Sequence, residues 1–146
     1  MAGNGSAALC GDNMQSTLIA ISLPYRVVTD PSRKVYITDT DYHRIRKVNI
    51  TNGIITTVAG NVIGAFMSDN VLVSSTGVRF ASGIGFVKVG NLYIADYCNN
   101  RIQIVDKNTG LIITVVGEGT QAFNEGYIPA ASHYLIITAD IAVDAS

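Results

Sequence analysis

A chain of 146 residues, 48% hydrophobic and 14% charged, has the composition of a folded globular protein and not of a disordered one. A net charge of −1 supplies no basic field, which argues against nucleic acid or anionic lipid as a partner. The longest uncharged apolar run near the start, Leu18 to Leu23, falls far short of the roughly 20 residues that span a bilayer, so no membrane span is expected.

The opening MAGNGSAALCGDN has neither a basic stretch nor an apolar stretch of the kind a signal peptide needs, and none is expected. Cys10 and Cys98 make no metal-ligand spacing and read as free thiols. Asn4-Gly5-Ser6 and Asn49-Ile50-Thr51 match the glycosylation acceptor pattern, which bears only on a secreted protein. Nothing in the sequence assigns a compartment.

The chain then repeats itself. Val35 to Gly60 is written again, without a gap, as Leu92 to Gly117, each matched pair 57 residues apart (93 − 36, 117 − 60). Tyr36, Asp39, Arg44, Gly53 and Gly60 recur as Tyr93, Asp96, Arg101, Gly110 and Gly117. Gly3, Gly60 and Gly117 open GNGSAAL, GNVIGAF and GEGTQAF at the same period. A fixed period of this size marks a solenoid, propeller or array. The expected units are 3–59, 60–116 and a truncated 117–146, within a single domain 1–146.

Each unit begins with a long polar connection and then a short apolar strand: Arg26 to Asp30, Gly83 to Val87 and Asp140 to Asp144. The second strand, Val35 to Thr38 or Leu92 to Ala95, is β-branched and aromatic. A polar turn, Thr40 to His43 or Tyr97 to Asn100, leads to the third, Arg44 to Asn49 or Arg101 to Asp106. Gly53 and Gly110 supply positive φ in the next turn. The fourth, Ile54 to Ala59 or Leu111 to Val116, is an almost continuous apolar run, as in a sheet covered on both faces. The expectation is an all-β chain of four-stranded antiparallel blades, an incomplete β-propeller.

Asp39 with Arg44, and Asp96 with Arg101, flank the same turn in each unit, where a carboxylate can accept turn N–H groups and pair with the guanidinium. Their recurrence favours a structural role over catalysis. Arg44, Arg46 and Lys47 form the densest basic cluster; the second unit puts Gln103 and Ile104 in place of the last two, so the cluster reads as a solvated face.

At these residues the chain resembles the NHL-repeat family. Val35-Tyr36-Ile37-Thr38-Asp39, His43-Arg44-Ile45-Arg46-Lys47-Val48 and Ile55-Thr56-Thr57-Val58-Ala59-Gly60 follow the family pattern. Leu92-Tyr93-Ile94-Ala95-Asp96 and Asn100-Arg101-Ile102 follow it again. Kelch and WD-type repeats fit less well, because the period is too long and no Trp is present. The chain departs from the family in its connections, which keep only Gly11-Asp12-Asn13 and Ser68-Asp69-Asn70 of a longer glycine-rich run.

The resemblance implies a propeller, usually of six four-stranded blades, used as a rigid binding platform. A six-bladed ring at this period needs more than twice this chain, so the sequence reads as a fragment of a longer protein. Open blade edges then offer a route to self-association. The expected function is a non-enzymatic scaffold, built of NHL repeats, for a protein or small-ligand partner. Tyr42, His43, Tyr97, Asn99 and Asn100 are its candidate loop surface, and no cofactor, metal or catalytic group is expected. The first alternative is part of a metal-dependent propeller lyase or hydrolase. That reading has only His43 and His133 to draw on, at non-equivalent positions. The second is an RNA-binding NHL domain, which the charge disfavours.

Overall fold

The computed structural model describes residues 2–6, 11–120, 127–133, 135 and 138–144. Cys10, Met1, the Ala7 to Leu9 and Gln121 to Phe123 parts of the repeat openings, and Ala145 and Ser146 lie outside them.

The chain is all-β. Its strands are β1 (Met14–Gln15), β2 (Val27–Thr29), β3 (Val35–Asp39), β4 (Arg44–Val48), β5 (Ile54–Ala59), β6 (Val71–Leu72), β7 (Ala81–Phe86), β8 (Leu92–Asp96), β9 (Arg101–Val105) and β10 (Leu111–Val116). They form two antiparallel five-stranded sheets, ordered β1-β5-β4-β3-β2 and β6-β10-β9-β8-β7. Among the described residues no helix is long and apolar enough to cross a membrane.

All eight strands expected in the two complete copies are present. The count of four per sheet needs correction, because β1 and β6 come from the connections, where no strand is legible. Met14 pairs with Ile55, and Val71 pairs with Ile112 one period on. The physical reason lies in Asp12 and Asp69. Asp12 Oδ1 accepts hydrogen bonds from the N–H (3.0 Å) and hydroxyl (2.9 Å) of Thr57 on β5. Asp69 Oδ1 does the same for Thr114 on β10, at 2.7 and 2.9 Å. Each carboxylate holds its connection along an outer strand, so the ladder edge is covered.

The expected third-unit strand, Asp140 to Asp144, is not formed: residues 138–144 join no ladder but lie against β7. Its hairpin partner, the counterpart of β3 and β8, is not part of this sequence. Ser82 Oγ donates to the Thr138 carbonyl at 2.9 Å, and Arg26 pairs with Asp140 at 3.2 Å. A side chain at Gly83 would meet Asp140, and one at Gly85 would meet Val143.

The core has two parts, as the runs in the fourth strands imply. Ile45 and Ala59 of the first sheet meet Ile84, Ile94 and Ile112 of the second, with Val28, Tyr36 and Phe86 around them. Tyr36 and Phe86 pack edge to face at 4.6 Å across this layer. The opposite face of the first sheet gathers Ile19, Ile37, Val48 and Ile55. A register shift between Ile45 and Arg46 turns Ala59 to the face opposite Ile55, and a shift between Thr114 and Val116 repeats it in the second sheet. Burial of each isoleucine contributes about 1.5–3 kcal/mol.

Gly60 and Gly117 leave the last strands with φ of 88° and 89°. A side chain at either would overlap a backbone carbonyl oxygen, that of His43 or of Asn100. Gly60→Ala combines positive-φ strain with a clash against immovable backbone, and is expected to destabilise the chain by about 2–4 kcal/mol in urea unfolding followed by circular dichroism.

Candidate functional site

The turns between β3 and β4 and between β8 and β9 are single 3-10 turns, Thr40–Tyr42 and Tyr97–Asn99, closed by His43 and Asn100 in the left-handed region. Each follows an aspartate without exposed surface, Asp39 or Asp96. The two sheets satisfy these carboxylates differently.

Asp39 Oδ1 accepts the Ser22 N–H at 2.9 Å, and its Oδ2 takes Arg44 at 3.0 Å and Arg46 at 3.4 Å. Arg46 also donates to Asp12 and to the Gly11 carbonyl, both at 2.9 Å. Reading the basic cluster as a solvated face is therefore wrong for two of its members: Arg46 is 0% exposed and Arg44 6%. Two carboxylates, one from a distant loop, converge on guanidiniums that a local charge count assigns to water.

Asp96 is opposite Arg101 in the ladder, as expected, but no ion pair joins their side chains among the described residues. Arg101 instead reaches the carbonyls of Gly117 (3.3 Å) and Glu118 and lies 4.0 Å over the Phe66 ring. One period earlier the residue is Leu9, which has no π face to offer. Asp96 is left with the Arg79 N–H (2.6 Å) and the Asn99 amide (2.9 Å). Burial pushes its carboxyl up to about 7, against the pull of those bonds and of Arg101 and Arg79.

Beside these turns, a cavity of about 410 Å³ opens between the end of the first turn, the second turn and the connection that follows β5. His43, Phe66, Arg79, Phe80, Cys98, Asn99 and Arg101 line it, with the backbone at Gly64 and Gly119. His43 Nδ1 accepts the Phe80 N–H at 3.3 Å, and the two rings meet edge to face at 4.7 Å. Burial holds the His43 imidazole below its ordinary pKa, so at neutral pH it is uncharged. Arg79 and Arg101 supply the positive charge. A second cavity of about 210 Å³, lined by Tyr25, Thr40, Phe80, Ser82, Tyr97 and Ala139, is separated from the first by Phe80. Tyr25, Ser82 and Ala139 stand one period apart, so three equivalent positions converge on it.

Of the five turn residues singled out from the sequence, His43 and Asn99 line the larger cavity and Tyr97 the smaller. Tyr42 instead stacks under the Arg44 guanidinium at 5.6 Å, and Asn100 is used as the left-handed turn closure. Phe66, Arg79 and Phe80 lie in an unpatterned connection, and sequence reasoning missed them. His43 and His133 close different 3-10 turns, Thr40–Tyr42 and Ala130–Ser132. Among the described residues no three His, Cys, Asp or Glu side chains converge as a metal group would require.

No family model and no curated protein matches the chain. Solved structures do. A structural genomics protein of unknown function from Bacteroides thetaiotaomicron superposes with a TM-score of 0.71 at 19% identity, covering 84% of this chain and 30% of its own. An auxiliary nutrient binding protein from Bacteroides ovatus gives 0.64 at 18%, with 80% and 31% covered. A second auxiliary nutrient binding protein, from Bacteroides thetaiotaomicron, gives 0.59 at 16%, with 78% and 31% covered. The likeness extends to fold only, and the chain spans about a third of the length of these proteins.

The raised Asp96 pKa has a consequence for stability. The unfolded chain releases this proton near pH 4, whereas the fold retains it to about 7. Across that window the folded state binds more protons, so stability falls as pH rises and levels off above 7. Asp96→Asn removes the group. The stability of the wild-type chain relative to Asp96→Asn is expected to decline from pH 4 to 7 in thermal unfolding and then stay constant.

Proposed function

We infer that this chain is a segment of an NHL-type β-propeller whose role is non-enzymatic binding of a small anionic ligand. In this reading, 3–59 and 60–116 are consecutive blades, each with its outer edge covered by its own connection, and 117–146 begins a third. The open faces then belong against further blades, of a longer protein or of other copies.

The observation that carries the binding role is the cavity of about 410 Å³, where two guanidiniums, an imidazole and a carboxamide converge beside two phenylalanine rings. Arg79 is the exposed cation there, so it can meet a carboxylate from solvent. The amide of Asn99 and the imidazole of His43 suit hydroxyl groups, and the rings of Phe66 and Phe80 suit an apolar ring face. Two of the structural neighbours are described as nutrient binding proteins, which agrees with a binding scaffold. A carboxylated sugar combines the required features.

Calorimetric titration of glucuronate and galacturonate, with glucose and galactose as neutral controls, tests this on the species whose mass light scattering has fixed. The acids are expected to bind and the neutral sugars to bind at least tenfold more weakly. Arg79→Ala is expected to weaken the acids about tenfold or more, the cost of about 1.5–3 kcal/mol for a charge-assisted contact, while leaving urea stability unchanged. Equal affinity for acids and neutral sugars, or for wild type and Arg79→Ala, contradicts the reading.

A further inference from the structure

The two sheets are near copies, yet one buried position differs in charge. Arg46 of β4 has its counterpart in Gln103 of β9, and both are 0% exposed. Arg46 joins three acceptors: the Asp39 carboxylate, the Asp12 carboxylate and the Gly11 carbonyl. One period on, these are Asp96, Asp69 and Ser68, so the second sheet keeps both acids. What it lacks is a side-chain cation between them.

Gln103 cannot replace that cation, and the ladder shows where it points. It pairs with Thr114 on β10, whose hydroxyl and N–H are held by Asp69. On its other side it pairs with Ile94, two residues before Asp96 and on the same face of β8. The register therefore sets Gln103 on the face of the sheet that carries Asp96, beside the threonine that Asp69 holds. Both Oε1 and Nε2 are buried there without a hydrogen-bond partner among the described residues. A buried carboxamide with neither end satisfied is a costly arrangement. Arg101 reaches the edge of this site, donating to the Thr114 hydroxyl at 3.4 Å, but its guanidinium is otherwise committed to the Gly117 and Glu118 carbonyls and to Phe66.

We propose that the second sheet binds a hard cation, Ca²⁺ or Na⁺, where the first sheet uses the Arg46 guanidinium, with Asp69, Asp96 and the Gln103 Oε1 as its side-chain ligands. Carboxylate and carboxamide oxygens are the donors such ions prefer, and the set contains no nitrogen or sulfur that would select a transition metal. In the first sheet Arg44 and Arg46 balance Asp12 and Asp39. In the second, neither Asp69 nor Asp96 has a side-chain ion pair among the described residues, which leaves their charge for the ion to balance. The site is structural: it joins the connection that follows β5 to the end of β8, and that connection contributes Phe66, Arg79 and Phe80 to the cavity described above.

The test is thermal unfolding of the whole chain at pH 8 in tetramethylammonium chloride, with calcium chloride or sodium chloride added at matched ionic strength. One or both metal salts are expected to raise the midpoint by roughly 4 °C, a shift consistent with linkage at a site of modest affinity. Gln103→Arg restores the guanidinium, and is expected to unfold at a higher midpoint than wild type without added metal and to respond to neither salt. Asp69→Asn is expected to lose at least half of the wild-type response. A wild-type midpoint that moves no more with the metal salts than with tetramethylammonium overturns the proposal. So does a Gln103→Arg chain that fails to fold or that responds as wild type does, since the site is defined by its capacity for one cation.

Discussion

Much of this fold depends on one short contact made twice: an aspartate in a connection accepting both the N–H and the hydroxyl of a threonine on an outer strand. Asp12 does this for Thr57 and Asp69 for Thr114. Without it, two-residue strands such as β1 and β6 have too few ladder bonds to hold themselves in place. With it, each connection lies along the outer strand of the sheet that follows it in sequence, and the exposed edge is covered. The same carboxylate positions the buried polar group beneath it, since Asp12 also receives Arg46. Beyond Asp69 the connection continues through Arg79 and Phe80, so the contact that closes the sheet also anchors one wall of the larger cavity.

The repeat made most of the fold legible. Strand types and the two glycine turns follow from residues recurring at one period; burial on both faces holds for β5, whereas on β10 Ile113 is exposed. The left-handed positions recur as well: His43 with Asn100, Asn13 with Asn70, and Leu23 with Phe80. The fifth strands were not legible, because Met14-Gln15 and Val71-Leu72 carry no alternation and are held by a carboxylate next to them. A signal did exist in the survival of Asp12-Asn13 and Asp69-Asn70 at the same period within otherwise divergent connections. Arg46 was misread for a related reason. Charge patterning sees the basic neighbours Arg44 and Lys47, whereas burial is decided by Asp12, 34 residues away in sequence.

The candidate site divides in the same way. His43, Tyr97 and Asn99 could be named because a repeated turn places them at one end of the sheets. Arg79, Phe66 and Phe80 could not, since the positions one period earlier are Ser22, Leu9 and Leu23. These departures from the repeat give the second unit its binding character: Arg79 brings charge, Phe66 draws Arg101 away from Asp96, and Phe80 packs on His43. Divergence between near-identical sheets marks where function is sought. It also identifies the buried centre around Gln103, where the pair of acids recurs without its arginine.

Amide hydrogen exchange followed by NMR at Thr57 and Thr114 tests most directly whether the aspartate contacts hold the connections as strands. In the wild-type chain both amides are expected to be protected as strongly as those inside β4 and β9. In an Asp69→Ala chain the Thr114 amide is expected to exchange much faster while Thr57 keeps its protection, because the two contacts are independent. Rapid exchange at Thr114 in the wild-type chain, as at a bare sheet edge, would contradict this arrangement, as would unchanged exchange after Asp69→Ala.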